Sequence, residues 1–458
     1  MSTNISPKFI PPLDPGFVPA SLYNREYLKD AKASADGIEI RFVLERPKGR
    51  RSVYQTFILP GDARTPIYCE RLLKALLWLK GGCKVFVAGS IEIADYLAGV
   101  YSATGPRTFD LEFLGQRIYR QDLTILPLSL SETPEPDELS SGIGRHLDGC
   151  RIGFDLGGSD RKCAALIDGK IVHSEEVVWD PYFQSDPNYH LQGIRDSLQR
   201  AAAHLPRVDA IGGSAAGVYI DNEVRAASLF RGVPDDQFDL HVRRIFLDLK
   251  EEWGGIPFVV VNDGEVAALA ASMSLGSNSV LGVAFGTSLA AGYVNTVGGI
   301  TDWLNELAFV PVDYRTDAPA DEWSKDLGVG VQYLTQQAVA RLCPAAGIDL
   351  PDTMPFPERL LEVQALMASG DPRAERLFET IGVYLGYSVA HFATFYELEN
   401  VELMGRVTSG KGGDVILEKA LQVLAIEFPE YSIEVNLPNE KSRRHGQALA
   451  AASLPTIG

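Results

Sequence analysis

The sequence predicts an α/β protein of more than one domain, on three observations. The chain has 458 residues, 46% of them hydrophobic, which suffices for two or three domains each with its own core. From Cys150 onward, short apolar strands alternate with Gly-rich turns and helices. Two strand–turn–strand segments, residues 152–167 and 282–294, bracket a buried apolar strand at 257–261 that runs into an Ala-rich helix over 266–272. Strands interleaved with helices in this way are the pattern of an α/β fold.

The elements follow in order. Residues 10–16, Ile-Pro-Pro-Leu-Asp-Pro-Gly, read as an extended tail. Residues 38–44 alternate apolar and polar side chains, the period of a strand. A helix is expected over 68–80, with Leu72, Leu73, Leu76, Leu77 and Leu79 on its apolar side. A strand at Lys84–Ala88 and a helix over 91–97 complete a small α/β region. Residues 129–141, with Pro134, Pro136 and several acids, read as a linker, and a domain boundary is placed near Asp148. Further on, Leu377, Ile381, Leu385, Val389 and Phe392 repeat at helical spacing and predict a helix over 377–396, followed by a strand at 401–404.

Composition narrows the function. A formal net charge of −18 argues against nucleic acid or an anionic membrane as partner, since both select clustered Lys and Arg. The densest basic cluster, Lys441-Ser442-Arg443-Arg444-His445, is too short for that role and reads as a solvated helix start. The five cysteines have no close pair spacing, so reduced buried thiols are expected rather than zinc or disulfides. The N-terminus has no basic segment leading into an apolar run, and the most apolar stretch, 280–300, contains several Gly with Thr287, Ser288 and Asn295. A cytoplasmic protein without secretory signal or membrane span is expected.

Four segments carry chemistry. The first is Ile152-Gly153-Phe154-Asp155-Leu156-Gly157-Gly158-Ser159-Asp160, followed by an apolar stretch to Ile167 and the turn Asp168-Gly169. Glycines in such a turn let backbone N–H groups approach an anion. Asp155 beside it can hold Mg2+ through water, because that ion dehydrates reluctantly. A plain β-hairpin would show the same residues. The second segment, Gly282 to Val294, repeats the logic around Gly286-Thr287-Ser288. Two such hairpins can grip a triphosphate, where one alone says little.

In the third segment, Pro257 to Glu265, a buried strand delivers Asn262 and Asp263 to its carboxyl end, where open α/β sheets bind ligands. A carboxylate there can take the proton of an attacking hydroxyl; the competing reading is that Asp263 only caps the following helix. The fourth segment is the turn Gly405-Arg406-Val407-Thr408-Ser409-Gly410, placed to cover an adenine or ribose. Gly405 to Lys411 nearly spells a P-loop, but Gly412 stands where Ser or Thr is required. Gly412-Gly413-Asp414 also disfavours the helix that must open at the lysine, so the P-loop is rejected.

Taken in this order, the segments resemble the ROK (repressor, open reading frame, kinase) family of sugar kinases, within the hexokinase/actin-like ATPase superfamily. The resemblance runs from about Arg151 to Leu454 and includes Gly446-Gln447-Ala448-Leu449-Ala450. It implies a two-lobed actin-like ATPase (ribonuclease H-like) fold, with lobes over 149–270 and 271–458 and an N-terminal α/β extension over 1–148. It implies ATP phosphate-binding roles for Gly157, Gly158, Ser159, Gly286, Thr287 and Ser288, and an adenosine-binding role for Gly405. Asp155 would hold Mg2+, Asp263 would be the catalytic base, and Asn262, Glu306 and Gly217 would bind the sugar. The Glu306 assignment rests on Asn305-Glu306-Leu307-Ala308-Phe309-Val310-Pro311-Val312, and Gly217 on the loop Ile211 to Gly217. The resemblance also implies a homodimer.

The departures from the family pattern are specific. Phe309 stands where the family has a metal-binding His, and the zinc cysteine cluster is missing around residues 326–335, so no zinc is expected. The family's second sugar-binding Glu falls near Val331 or Gln332. Asp160 replaces a common Lys, although Arg161 and Lys162 are adjacent, and Ser288, Ala290 and Ala291 fill positions where Gly is frequent. The expected function is ATP-dependent phosphorylation of a hexose or hexose derivative, with inorganic polyphosphate as another donor to weigh. A non-catalytic sugar or nucleotide-binding regulator of the same fold is the alternative, beside an ATPase acting on another substrate such as an acyl group.

Overall fold

The computed structural model describes residues 5–138, 143–437 and 440–457, the side chains of 440–445 excepted. It separates into two compact units, each assembled from non-contiguous stretches. The first comprises Met1–Leu139, Val283–Ala290 and Asp302–Leu437; the second comprises Ser140–Gly282, Ala291–Thr301 and Pro438–Gly458.

The second unit is built on a five-stranded sheet in the order Phe258–Asn262, Ala210–Ala215, Cys150–Leu156, Asp160–Ile167, Lys170–Val178. Cys150–Leu156 is buried along its whole length, as expected of a strand covered on both faces. The first three strands are parallel and end level: Leu156 lies opposite Ala215, and Ala215 opposite Asn262. The other two continue as antiparallel hairpins.

Both faces of this sheet are covered. On one, Phe154, Ile211 and Phe258 pack with Ile194 and Leu198 of the helix Pro187–Ala202 and with Phe246 and Leu249 of the helix Ile245–Glu252. On the other, the helix Glu440–Ala452 places Ala450 and Ala451 in a cluster with Val266 and Leu269 of the helix Asp263–Leu275. Contact is close because Gly153 and Gly212 carry no side chain. A Cβ at Gly153 would stand 2.0 Å from the Ala448 carbonyl, and one at Gly212 1.7 Å from that of Ala451. The fully buried Arg151 donates to the carbonyls of Ala452 (3.4 Å) and Pro455 (2.7 Å), satisfying the end of that helix. The basic residues 441–445 lie in the opening turns of this helix, and their side chains fall outside the described residues.

The first unit contains a sheet in the order Arg51–Ile58, Ile38–Glu45, Lys84–Ala88, Thr124–Leu128, which matches the strands expected at 38–44 and 84–88. The helix Thr65–Lys80 is buried along most of its length. At its centre Lys74, fully buried, lies 2.8 Å from both carboxylate oxygens of Asp110 and 2.5 Å from Asp326. Arg107 pairs with Glu70 and Asp326, and Trp78 Nε1 donates to Asp110 at 2.8 Å. Stretches of chain distant in sequence are thereby joined by one buried charge network.

Three local expectations change. Residues 10–16, expected to be extended, form two turns, in which Asp14 N–H donates to the Pro11 carbonyl and Phe17 N–H to the Asp14 carbonyl, each at 3.1 Å. A helix, Ala20–Ala33, follows the proline-rich tail where none was expected. Another, Gly410–Glu427, opens where Gly412 and Gly413 were read as helix-breaking. The reason is packing. A Cβ on Gly412 would meet the Phe378 ring at 2.7 Å, and one on Gly413 the Thr408 carbonyl at 2.0 Å. The helix accepts glycine's entropic cost in exchange for close contact with the helix Pro372–Phe392 at Gly412 and with its own entry turn at Gly413. Among the described residues, no helix is long and apolar enough to cross a membrane.

Candidate active site

The level carboxyl ends of the parallel strands in the second unit gather most of the expected residues. Asp155, next to last in its strand, lies opposite Ser214 on the neighbouring strand and accepts a 2.7 Å hydrogen bond from its hydroxyl. Lys162 faces Asp155 from the other side. Burial pushes the Asp155 carboxyl upward, while the Ser214 bond and the Lys162 charge oppose that shift.

Asn262 ends its strand and caps the helix Asp263–Leu275: its Oδ1 accepts from the Gly264 N–H at 2.7 Å. Its Nδ2 donates to the Gly217 carbonyl at 2.7 Å, which ties the helix start to the turn after Ala210–Ala215. The capping role expected of Asp263 therefore belongs chiefly to Asn262, although Asp263 Oδ1 also lies 3.0 Å from the Gly264 N–H. Asp263 is pushed up to about 6, first by burial and then by the charge of Asp155. Two carboxylates thus act on each other at one sheet edge, and Asp263, held at about 6, is raised in the direction that suits a general base. The Tyr219 phenol is also raised, by burial and by the Asp263 charge.

The turn Gly157, Gly158, Ser159 follows the Asp155 strand directly. Trp179 holds it, donating Nε1–H to the Gly157 carbonyl at 2.7 Å and its backbone N–H to Ser159 at 3.1 Å. Ser159 Oγ donates to Asp160 at 2.9 Å, and Asp160 pairs with Lys162 at 3.2 Å. Arg161 is committed elsewhere, to the Gly193 carbonyl, Ser197 and Asp196.

The first unit carries the remaining residues. Gly286 N–H donates to the Ser288 carbonyl at 3.1 Å, and the Gly286 carbonyl accepts from Gln336 N–H at 2.9 Å. Thr287 Oγ1 lies 3.4 Å from Gln336 Oε1, and Gln337 Nε2 donates to the Thr287 carbonyl at 3.3 Å. Gln332, in the region of the family's second sugar-binding Glu, donates to Gln337 at 2.7 Å. Gly405 has φ 96, and a Cβ there would sit 2.5 Å from the Phe285 carbonyl, beside the Gly286 turn. Gly405→Ala should therefore lose at least about 1–2 kcal/mol of stability, read as a fall in denaturation midpoint.

Glu306 and Asn305 are held by their backbones, donating at 3.0 Å to the carbonyls of Trp78 and Leu79 in the last turn of the helix Thr65–Lys80. Those carbonyls have no partner within the helix, so the helix end and the Glu306 segment complete each other. Phe309 packs against Trp78 with centroids 4.2 Å apart and the rings tilted by 32°, and Phe109, Phe113 and Trp323 extend the cluster.

No family model matches the sequence, and no curated protein matches it. Solved structures do match in shape. The ROK hexokinase from Thermus thermophilus superposes with a TM-score of 0.53 at 21% identity, over 67% of this chain and 97% of the hexokinase. A ROK-family transcriptional regulator, a homologue of the E. coli MLC protein, superposes at 0.51 with 18% identity, over 68% of this chain and 79% of the regulator. This chain has the ROK fold, a member of the actin-like ATPase class. A hexokinase and a regulator share that ROK fold, so shape alone does not choose between them.

Within the ROK fold seen here, sequence reading passed over several residues that support the site. Ser214 orients Asp155, Trp179 holds the Gly157 turn, and Gln336 and Gln337 brace the Gly286 turn. Ser214 had a legible signal, a lone hydroxyl in a strand of small residues ending level with Asp155. Trp179 had none, because its contact is made across a hairpin. Among the described residues, no group of three His, Cys, Asp or Glu side chains is placed to hold a metal by itself.

Proposed function

We propose that this chain is a ROK-type sugar kinase that transfers a phosphoryl group from ATP to a hydroxyl of a hexose or hexose derivative. The observation that carries the reading is Asp263, poised at about 6 beside Asp155 at the carboxyl edge of the parallel strands. Asp263 takes the proton of the attacking hydroxyl, and Asn262 and Gly217, bonded to each other, orient the sugar. Asn262 retains one amide N–H and one carbonyl lone pair beyond these bonds. We assign Gly157, Gly158 and Ser159, with Gly286, Thr287 and Ser288, to the phosphates, Gly405 to adenosine, and Glu306 to the sugar.

Asp155 fits a hydrated Mg2+. Ser214 occupies one carboxylate oxygen, and the other has no protein partner among the described residues. When bound, the ion neutralises charge on the transferring phosphoryl oxygens. Its positive charge would also favour ionisation of Asp263 by offsetting Asp155. A cytoplasmic location accords with ATP as donor, and the family resemblance adds a homodimer to the reading.

A coupled assay of ADP release over a panel of hexoses, amino sugars and their N-acetyl derivatives tests the proposal. Sugar-dependent ADP release is expected. The match to a ROK regulator supports a second reading, a non-catalytic sugar or nucleotide sensor, which predicts sugar binding with no ADP release from any member of the panel. The pH dependence carries a sign as well. Protonated Asp263 cannot accept a proton, so kcat/KM should rise about tenfold per pH unit below about 6 and level off above it. A profile flat from pH 5 to 8 would remove Asp263 as the base.

A further inference from the structure

We propose that Arg231 is a phosphate ligand, reaching over the Gly157–Gly158–Ser159 turn from a stacked platform on Tyr182 to bind the terminal phosphates of the donor. The proposal rests on the assignment of that turn to phosphate binding. It starts from a shortage of positive charge. A triphosphate brings several negative charges, yet the turn runs directly into Asp160, a carboxylate. Lys162 is paired with Asp160 at 3.2 Å, and Arg161 is used in holding the helix Pro187–Ala202. Neither adjacent cation is uncommitted.

Arg231 is. It is exposed, and its guanidinium makes no hydrogen bond or ion pair among the described residues, in a chain where acids outnumber bases by 60 to 42. Its Cζ sits over aromatic faces, 4.2 Å from the Tyr182 ring centroid and 5.0 Å from that of Phe183. The cation–π contact uses none of the guanidinium N–H groups, and these are the donors that fork onto phosphate. Tyr182 lies over the turn itself: a Cβ on Gly158 would stand 2.0 Å from its hydroxyl. The chain of contact therefore runs from the turn through Tyr182 to Arg231.

The platform is fixed in advance. The ring Nε2 of the buried His190 lies 3.1 Å from the Pro181 carbonyl and 3.0 Å from the Leu229 carbonyl, bridging the two loops just before Tyr182 and Arg231. Gly232 approaches the Gln184 carbonyl so closely that a Cβ would stand 2.7 Å away. A cation held in place before the ligand arrives loses little entropy on binding.

The test uses the purified full chain and three ligands: ATP, inorganic tripolyphosphate and adenosine. Arg231→Ala should weaken ATP and tripolyphosphate by about tenfold or more and leave adenosine within twofold. Arg231→Lys should recover part of the loss. Loss confined to ATP would place Arg231 on a nucleotide phosphate only, and loss of both places it on the shared phosphate chain; either supports the proposal. Equal weakening of ATP and adenosine, or none at all, overturns it. A folded wild-type chain that binds neither ATP nor tripolyphosphate would instead sink the phosphate assignment of the turn, and the Arg231 proposal with it.

Discussion

Asp263→Asn should lower kcat by about a hundred- to ten-thousand-fold while ATP and sugar affinities stay within a few-fold. The amide keeps the shape of the side chain and loses the lone pair that takes the proton. Asn262, which caps the helix and holds Gly217, is untouched, so the sugar-side turn should keep its place. The same variant should be more stable than the parent at neutral pH. Asp263 titrates at about 6 in the folded chain, against an ordinary 3.8. Between those values the folded state binds a proton that the unfolded state releases, so stability falls as pH rises through that window. Asn has no such window. Thermal midpoints should therefore diverge in favour of Asp263→Asn above pH 6 and converge below about pH 4. A variant that loses turnover and also melts earlier at pH 7 would mark Asp263 as a structural residue instead.

Lys74→Met should be the most damaging single change to stability, with a loss of about 3–5 kcal/mol in chemical denaturation. Methionine fills a similar volume, so the cost is electrical. Asp110, fully buried, keeps only the Trp78 N–H among the partners described for its carboxylate. Burial already drives Asp110 upward, and Lys74 is the charge that most opposes it. Without Lys74 the carboxyl should take a proton, so the deficit should shrink as pH falls. The double variant Lys74→Met with Asp110→Asn should recover part of the loss, because it removes the stranded charge. Weakened sugar binding is expected too, since the helix bearing Lys74 ends in the carbonyls that hold Asn305 and Glu306. A loss below 1 kcal/mol would show that water reaches the network.

Much of the second unit was legible because its signals are local. A strand ending in Asp155 and a Gly-Gly turn, or one ending in Asn262-Asp263, declares itself within ten residues, and periodicity placed the helices bearing Leu72 and Leu385. What escaped depends on distant partners. The helix Ala20–Ala33 buries Ala20, Tyr23, Tyr27 and Ala31, a helical stripe of small and aromatic residues among polar ones, too weak in hydrophobicity to announce itself. Gly412 and Gly413 read as breakers until Phe378 and the Thr408 carbonyl supply the reason for them. The Phe309 substitution was visible as a departure, but the Trp78 ring it packs against lies in a region with no motif.

Arg151 reaches carbonyls 301 and 304 residues further along the chain, with a consequence for biosynthesis. The strands of the second unit's sheet emerge from the ribosome well before the helix Glu440–Ala452 that packs on one of its faces. Through that interval Ala164 and Leu166 lack Ala448 and Ala452, the buried side chains they pack with, and the buried guanidinium has no acceptor at that end. The nascent protein should thus depend on a holding chaperone until the helix Glu440–Ala452 has been made.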